Sequence, residues 1–177
     1  MPATYTLISS NVLGANATSV TFSSIPGTYT DLVLRFSARS NQTGTVDLTI
    51  VVNGINTGTL YSSTVIYAFG GNPASARYSN RNQWEMQNSF QSNSATANTF
   101  GNAELYIPSY NSGTSKVASL AQVAEDNGGF AGSGSGNANL GGAAHLLRSN
   151  SAITSLTLTG GTFLTNSSFY LYGIKNS

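Results

Sequence analysis

Apolar and polar residues alternate along YTDLVLRFSARS, residues 29–40. Leu32, Leu34, Phe36 and Ala38 share one side; Tyr29, Asp31, Val33, Arg35, Ser37 and Arg39 share the other. A period of two is that of a β-strand with one oily face. The period returns where Val46, Leu48, Ile50 and Val52 alternate with Asp47, Thr49 and Val51, and it stops at Asn53-Gly54, a tight-turn pair. It returns again where Ala103, Leu105 and Ile107 alternate with Glu104 and Tyr106. Further strands are predicted over 4–9, 18–25, 143–149, 152–160 and 167–176, with one or two more over 58–70. The run 115–125 fits a strand or a short helix, and its β-rich surroundings favour the strand. In all, about nine to eleven strands are expected. From about Gly71 to Phe100 no period is clean, which predicts a long loop carrying a short strand or helical turn. Asp126 to Gly142, rich in Gly, Ser and Asn, reads as a flexible loop.

Each alternating strand needs a cover for one edge, and two antiparallel sheets packed face to face supply it. The expected fold is therefore all-β: a single domain over 1–177, a two-sheet antiparallel β-sandwich, jelly-roll-like. Its expected core is Leu32, Leu34, Phe36, Val46, Leu48, Ile50, Val52, Leu105, Ile107, Leu156 and Leu158. The last strand sets Phe169 and Leu171 against Tyr170, Tyr172 and Ile174. Both its faces look coverable, as for a central strand or one covered by a neighbouring subunit.

Composition sharpens this picture. Only 7% of the 177 residues are charged, against about 25% in a typical soluble domain. Polar surface must come from Ser, Thr, Asn, Gln and Gly. Lys, Pro and inward charge normally guard sheet edges, and a chain this poor in charge favours edges and outer faces that meet partners. The net charge of +1 leaves no basic patch to neutralise phosphates, so nucleic acid is not an expected partner. There is no Cys, hence no disulfide framework and no thiolate metal site. The start MPATYTLISS lacks the pattern of a signal peptide, and no run of about 18 apolar residues is present to span a membrane. Synthesis in a cytoplasm is expected.

The chemistry-bearing side chains are few. His145 lies in an apolar strand-like run, and no G-x-S-x-G elbow accompanies it, so a structural histidine is expected. Asp31, Asp47 and Glu104 alternate with core residues, and Glu125 and Asp126 are adjacent and would diverge; nothing selects a catalytic pair. The Glu125, Asp126 and Asn127 oxygens lack a calcium-loop pattern, and no G-K-[ST] follows the Gly-rich GSGSG. No catalytic residue, metal or cofactor is expected, and the protein reads as non-enzymatic. Aromatic rings with neighbouring Asn suggest another role: Tyr61, Tyr78, Trp84 and Tyr110 are candidate contacts to a glycan or a protein, or covers for the core.

Several stretches together, VTFSSIPGTYTDLVLRFSARS, LTIVVNGINTGTLYSS, NTFGNAELYIPSYNSGTSK and AITSLTLTGGTFLTNSSFYLYGIK, resemble small virion proteins of tailed bacteriophages. The resemblance runs from about Tyr5 to Lys175. Where such proteins often carry an Asn-Gly-Asp-like turn, this chain has Asn53-Gly54-Ile55. The resemblance implies a virion β-sandwich, with capsid decoration (cement) favoured over a fibre or tail-tip post. It implies self-association, expected as a homotrimer, and binding to a major capsid or other virion protein. The alternative is a fibre module that binds host surface glycans. On this reading Asp31, Arg35 and Arg39 form a polar row at or near a subunit or shell contact. The competing reading is an intramolecular Asp31–Arg pair on an open sheet face.

Overall fold

A computed structural model describes residues 4–43, 46–69, 72–86, 91–123 and 139–175. Within them are twelve strands: β1 (Tyr5–Val12), β2 (Ala17–Phe22), β3 (Asp31–Ala38), β4 (Leu48–Val52), β5 (Tyr61–Phe69), β6 (Asn72–Arg81), β7 (Trp84–Met86), β8 (Gly101–Ile107), β9 (Lys116–Val123), β10 (Asn139–Leu147), β11 (Leu156–Phe163) and β12 (Ser168–Ile174). They form two antiparallel sheets, one ordered β1-β12-β3-β8-β9-β10-β5-β6 and the other β2-β11-β4-β7.

Eight of these strands have a jelly-roll order: β1-β12-β3-β8 in one layer and β2-β11-β4-β7 in the other, successive strands of the eight alternating between layers except β4 and β7, which share the small sheet. Two hairpins, β5–β6 and β9–β10, are inserted into this scheme. They lengthen the large sheet beyond β8 by four strands, in the order β9-β10-β5-β6.

Periodicity explains which side chains meet. Leu171, Leu34, Leu105 and Leu120 lie in register across β12, β3, β8 and β9. Opposite them stand Val20, Leu158, Ile50 and Trp84, in register across β2, β11, β4 and β7. Every expected core residue is buried, from Leu32 to Leu158. The outer side of the small sheet is a threonine surface, with hydroxyl contacts Thr21–Thr157 at 3.1 Å and Thr49–Thr159 at 2.6 Å. The Asn53-Gly54 turn ends β4 with both residues at positive φ, 52° and 67°. The Asn53 side chain is fastened at both ends, its Nδ2 donating to Ala152 O at 2.7 Å and its Oδ1 accepting from Thr154 N at 2.7 Å and Ser155 N at 3.1 Å.

Two expectations are corrected. The long loop expected from Gly71 to Phe100 contains β6, ten residues long, and β7. In β6 the inward side chains include Ala74 and Ala76 and the outward ones Pro73, Ser75 and Arg77, so the strand has no strong apolar period to read. It is an edge strand, where Pro73 is tolerated because an edge leaves backbone groups unpaired. The expected loop from 126 to 142 overlaps β10, since Asn139 to Gly142 pair with β5 and Leu140 to Gly142 pair with β9 as well. Gly141 stands in that strand because a Cβ there would come within 2.9 Å of Gln122 Nε2. The GSGSG motif and the Glu125–Asp126 pair lie outside the described residues.

Candidate functional site

The polar row on β3 divides into three separate environments. Asp31 is buried, and its carboxylate accepts the Tyr106 hydroxyl and the Ser109 amide, each at 2.8 Å. It braces the end of β8 instead of pairing with an arginine, and the hydrogen bond to it pushes the Tyr106 pKa up. Arg35 is exposed. Its Nε donates to Glu104 Oε2 at 2.6 Å, and its guanidinium lies 5.4 Å from the Tyr5 ring centre and 5.8 Å from that of Tyr172. Glu104 raises its pKa. An exposed pair of this kind contributes less than about 1 kcal/mol.

Arg39, just past the end of β3, is only 6% exposed. Its Nη1 donates to Thr96 O at 2.7 Å and Thr99 O at 3.0 Å, and its Nη2 donates to Ala95 O at 3.0 Å. The guanidinium organises the 91–99 segment and offers nothing to a subunit contact. Arg39→Ala is expected to cost about 2 kcal/mol, since hydrogen bonds from charged donors are worth about 1.5–3 kcal/mol. Arg39→Lys is expected to recover less than half, because an ammonium lacks the planar fork. Urea unfolding with amide exchange read at 91–99 checks both, the exchange rising most in that segment.

Three of the four aromatic candidates are core residues. Tyr61, Trp84 and Tyr110 are each 0% exposed, which leaves no ring face for a saccharide. The Tyr61 hydroxyl accepts from Val52 N at 3.0 Å and donates to Ile55 O at 2.9 Å, holding the turn after β4. The Tyr110 hydroxyl donates to Pro26 O. Burial pushes both phenols up. Tyr78, half-buried on β6, lies 5.3 Å beneath the Arg81 guanidinium. Lys116, which no sequence pattern singles out, is also buried, with Nζ donating to Ser112 O at 2.6 Å.

His145 is 3% exposed, and its Nδ1 lies 2.8 Å from Ser63 Oγ. This inverts a hydrolase arrangement, in which the serine bonds Nε2 and an acid holds Nδ1. Here Nε2 has no partner among the described residues, and Ser63, itself buried, accepts the Glu85 amide. Burial pulls the His145 pKa from 6.5 to about 4. The residue is a neutral structural imidazole beside Trp84, with ring centres 5.5 Å apart. Glu85 lies 3.5 Å from Arg81, so Asp31, Glu85 and Glu104 each have a partner inside the fold.

The surface left open is the outer face of the large sheet. Seven large apolar side chains stand exposed among the described residues: Tyr5, Leu7 and Val12 on β1, and Ile66, Val117, Val123 and Leu140 on β5, β9 and β10. Register puts all seven on the side facing away from the small sheet. Between the two groups runs a polar strip of Arg35, Glu104, Tyr170 and Asn102. A groove of about 450 Å³ borders that strip, and another of about 700 Å³ lies over β5, β6 and β10; Leu140 and Gly141 line both. Sequence reasoning missed this face because it joins the first strand to the last and both inserted hairpins. The one local signal was the row of Tyr170 and Tyr172. No family model matches the chain, and no curated protein matches it.

Proposed function

We propose that the chain is a non-enzymatic structural protein of a tailed-phage virion, a capsid decoration protein that associates as a homotrimer and binds the assembled shell. One observation carries this reading: an outer sheet face with exposed aliphatic side chains and no charge on its inserted strands β9, β10 and β5. Soluble monomers rarely leave broad apolar patches uncovered, and such surfaces mark contact sites. The resemblance of the chain to small virion proteins supplies the setting, with synthesis in the host cytoplasm and the major capsid protein as partner. Purified protein mixed with undecorated shells is expected to co-sediment at saturable stoichiometry and to raise the temperature at which the particles burst. Shells that neither bind it nor gain heat resistance would end the proposal.

A second reading, a glycan-binding fibre module, is favoured by the cluster of Tyr5 and Tyr172 around the Arg35–Glu104 pair. The Tyr5 ring is exposed and the Tyr172 ring half-buried, and rings beside such polar groups suit a sugar face. Saturable glycan binding that Tyr172→Ala removes would support this reading; a blank array would dismiss it.

A further inference from the structure

We infer that the trough over β9, β10 and β5 receives strand β1 of a second copy of this chain, head to tail. The inference deepens the self-association part of the proposed function and rests on it. Shape comes first. β1 is an edge strand whose residues are exposed on both faces except the half-buried Ile8, so it stands as a ridge. The inserted strands form the matching concavity, the groove of about 700 Å³ lined by Ile66, Leu140 and Gly142 with no charged residue. Gly142 keeps its floor open on the outward side.

Charge complementarity agrees. β1 carries no charged residue, and none of the outward positions of β9, β10 and β5 carries one. The flanks on either side do, with Arg35 and Glu104 on one and Arg77 on the other. An uncharged ridge is thus matched by a charge-free seat on the inserted strands. The three strands β9, β10 and β5, about 4.8 Å apart and about 24 Å long, present roughly 350 Å² of projected face. A closed ring uses this seat and the β1 ridge once on every copy.

The contact must be between unlike patches. β1 and β9 are four inter-strand spacings apart, about 19 Å. Each spacing adds about 20–25° of twist, so the two apolar groups point in widely different directions and one flat contact does not cover both. Seating the ridge of each copy in the trough of the next covers both with one kind of interface. Unlike-patch contacts of this kind close into rings, here the proposed trimer.

The experiment uses Leu7→Glu on the ridge and Leu140→Glu in the trough. Both side chains are more than half exposed, at 51% and 64%, so the fold is expected to persist; Val12→Glu and Ile66→Glu repeat each test at a second position. By sedimentation the parent chain is expected as a trimer and each variant as a monomer. An equimolar mixture of Leu7→Glu and Leu140→Glu is expected to form two-chain particles, because one intact ridge meets one intact trough. A monomeric parent, variants that keep the parent mass, or a mixture that stays monomeric would overturn the inference. A contact between like patches gives no such rescue. Shells that ignore a protein passing this test would remove the decoration reading and leave the inference standing.

Discussion

Trp84→Ala is expected to lower the unfolding free energy by about 3–5 kcal/mol, the usual range for losing a buried large aromatic side chain. Trp84 is 0% exposed on a strand of three residues. Its ring meets Tyr61 edge-on with centres 6.1 Å apart and lies against His145. Because β7 closes the inner side of the inserted strands, the cavity would open beneath β5 and β10. Trp84→Phe is expected to lose no more than about 1.5 kcal/mol, as a change that keeps most of the apolar bulk. The indole Nε1 has no partner among the described residues, so removing it forfeits no hydrogen bond. Equilibrium urea unfolding of both variants checks the pair. A Phe variant as damaged as the Ala variant would mean that the indole N–H matters more than the ring.

Acid is expected to destabilise the fold through His145 by about 3 kcal/mol, at 1.36 kcal/mol per pKa unit. The folded imidazole titrates near 4 and the unfolded one near 6.5. Between those values the unfolded chain binds more protons, so stability rises with pH across the window. It is complete above about pH 6.5 and falls progressively as pH drops toward 4. His145→Asn keeps a polar partner for Ser63 and removes the titration. Unfolding curves at several pH values should therefore show a steeper loss below pH 6.5 for the parent than for the variant. Equal slopes would mean that the imidazole is hydrated or paired in the folded state.

The alternation on β3, β4, β8 and β12 was legible because each of these strands has one face on the core, and that is where period two is strongest. The same rule is silent for β6, whose inward positions include alanines, and for β7, too short to show any period. Arg35 and Arg39 are indistinguishable in sequence, four residues apart on one row. What separates them is the 91–99 segment, which wraps one guanidinium and leaves the other against Tyr5 and Tyr172. For Trp84 and Tyr61, which sit among polar residues, the sequence leaves a surface contact and a core cover equally open; strands distant in the chain bury both. The jelly-roll order itself is non-local, and the two hairpins that widen the sheet carry no motif that announces them as insertions.

The fastened turn after β4 bears on chemical ageing. An Asn-Gly step is prone to deamidation, in which the glycine amide nitrogen attacks the asparagine side-chain carbonyl and ammonia leaves. That attack requires the carboxamide to swing over the following peptide. Asn53 is restrained by its bonds to Ala152, Thr154 and Ser155, so the folded chain keeps this step in an unreactive pose. Loss of the amide would put a carboxylate against the Ala152 carbonyl, and the β4 turn is thus protected from slow hydrolysis only as long as it stays folded.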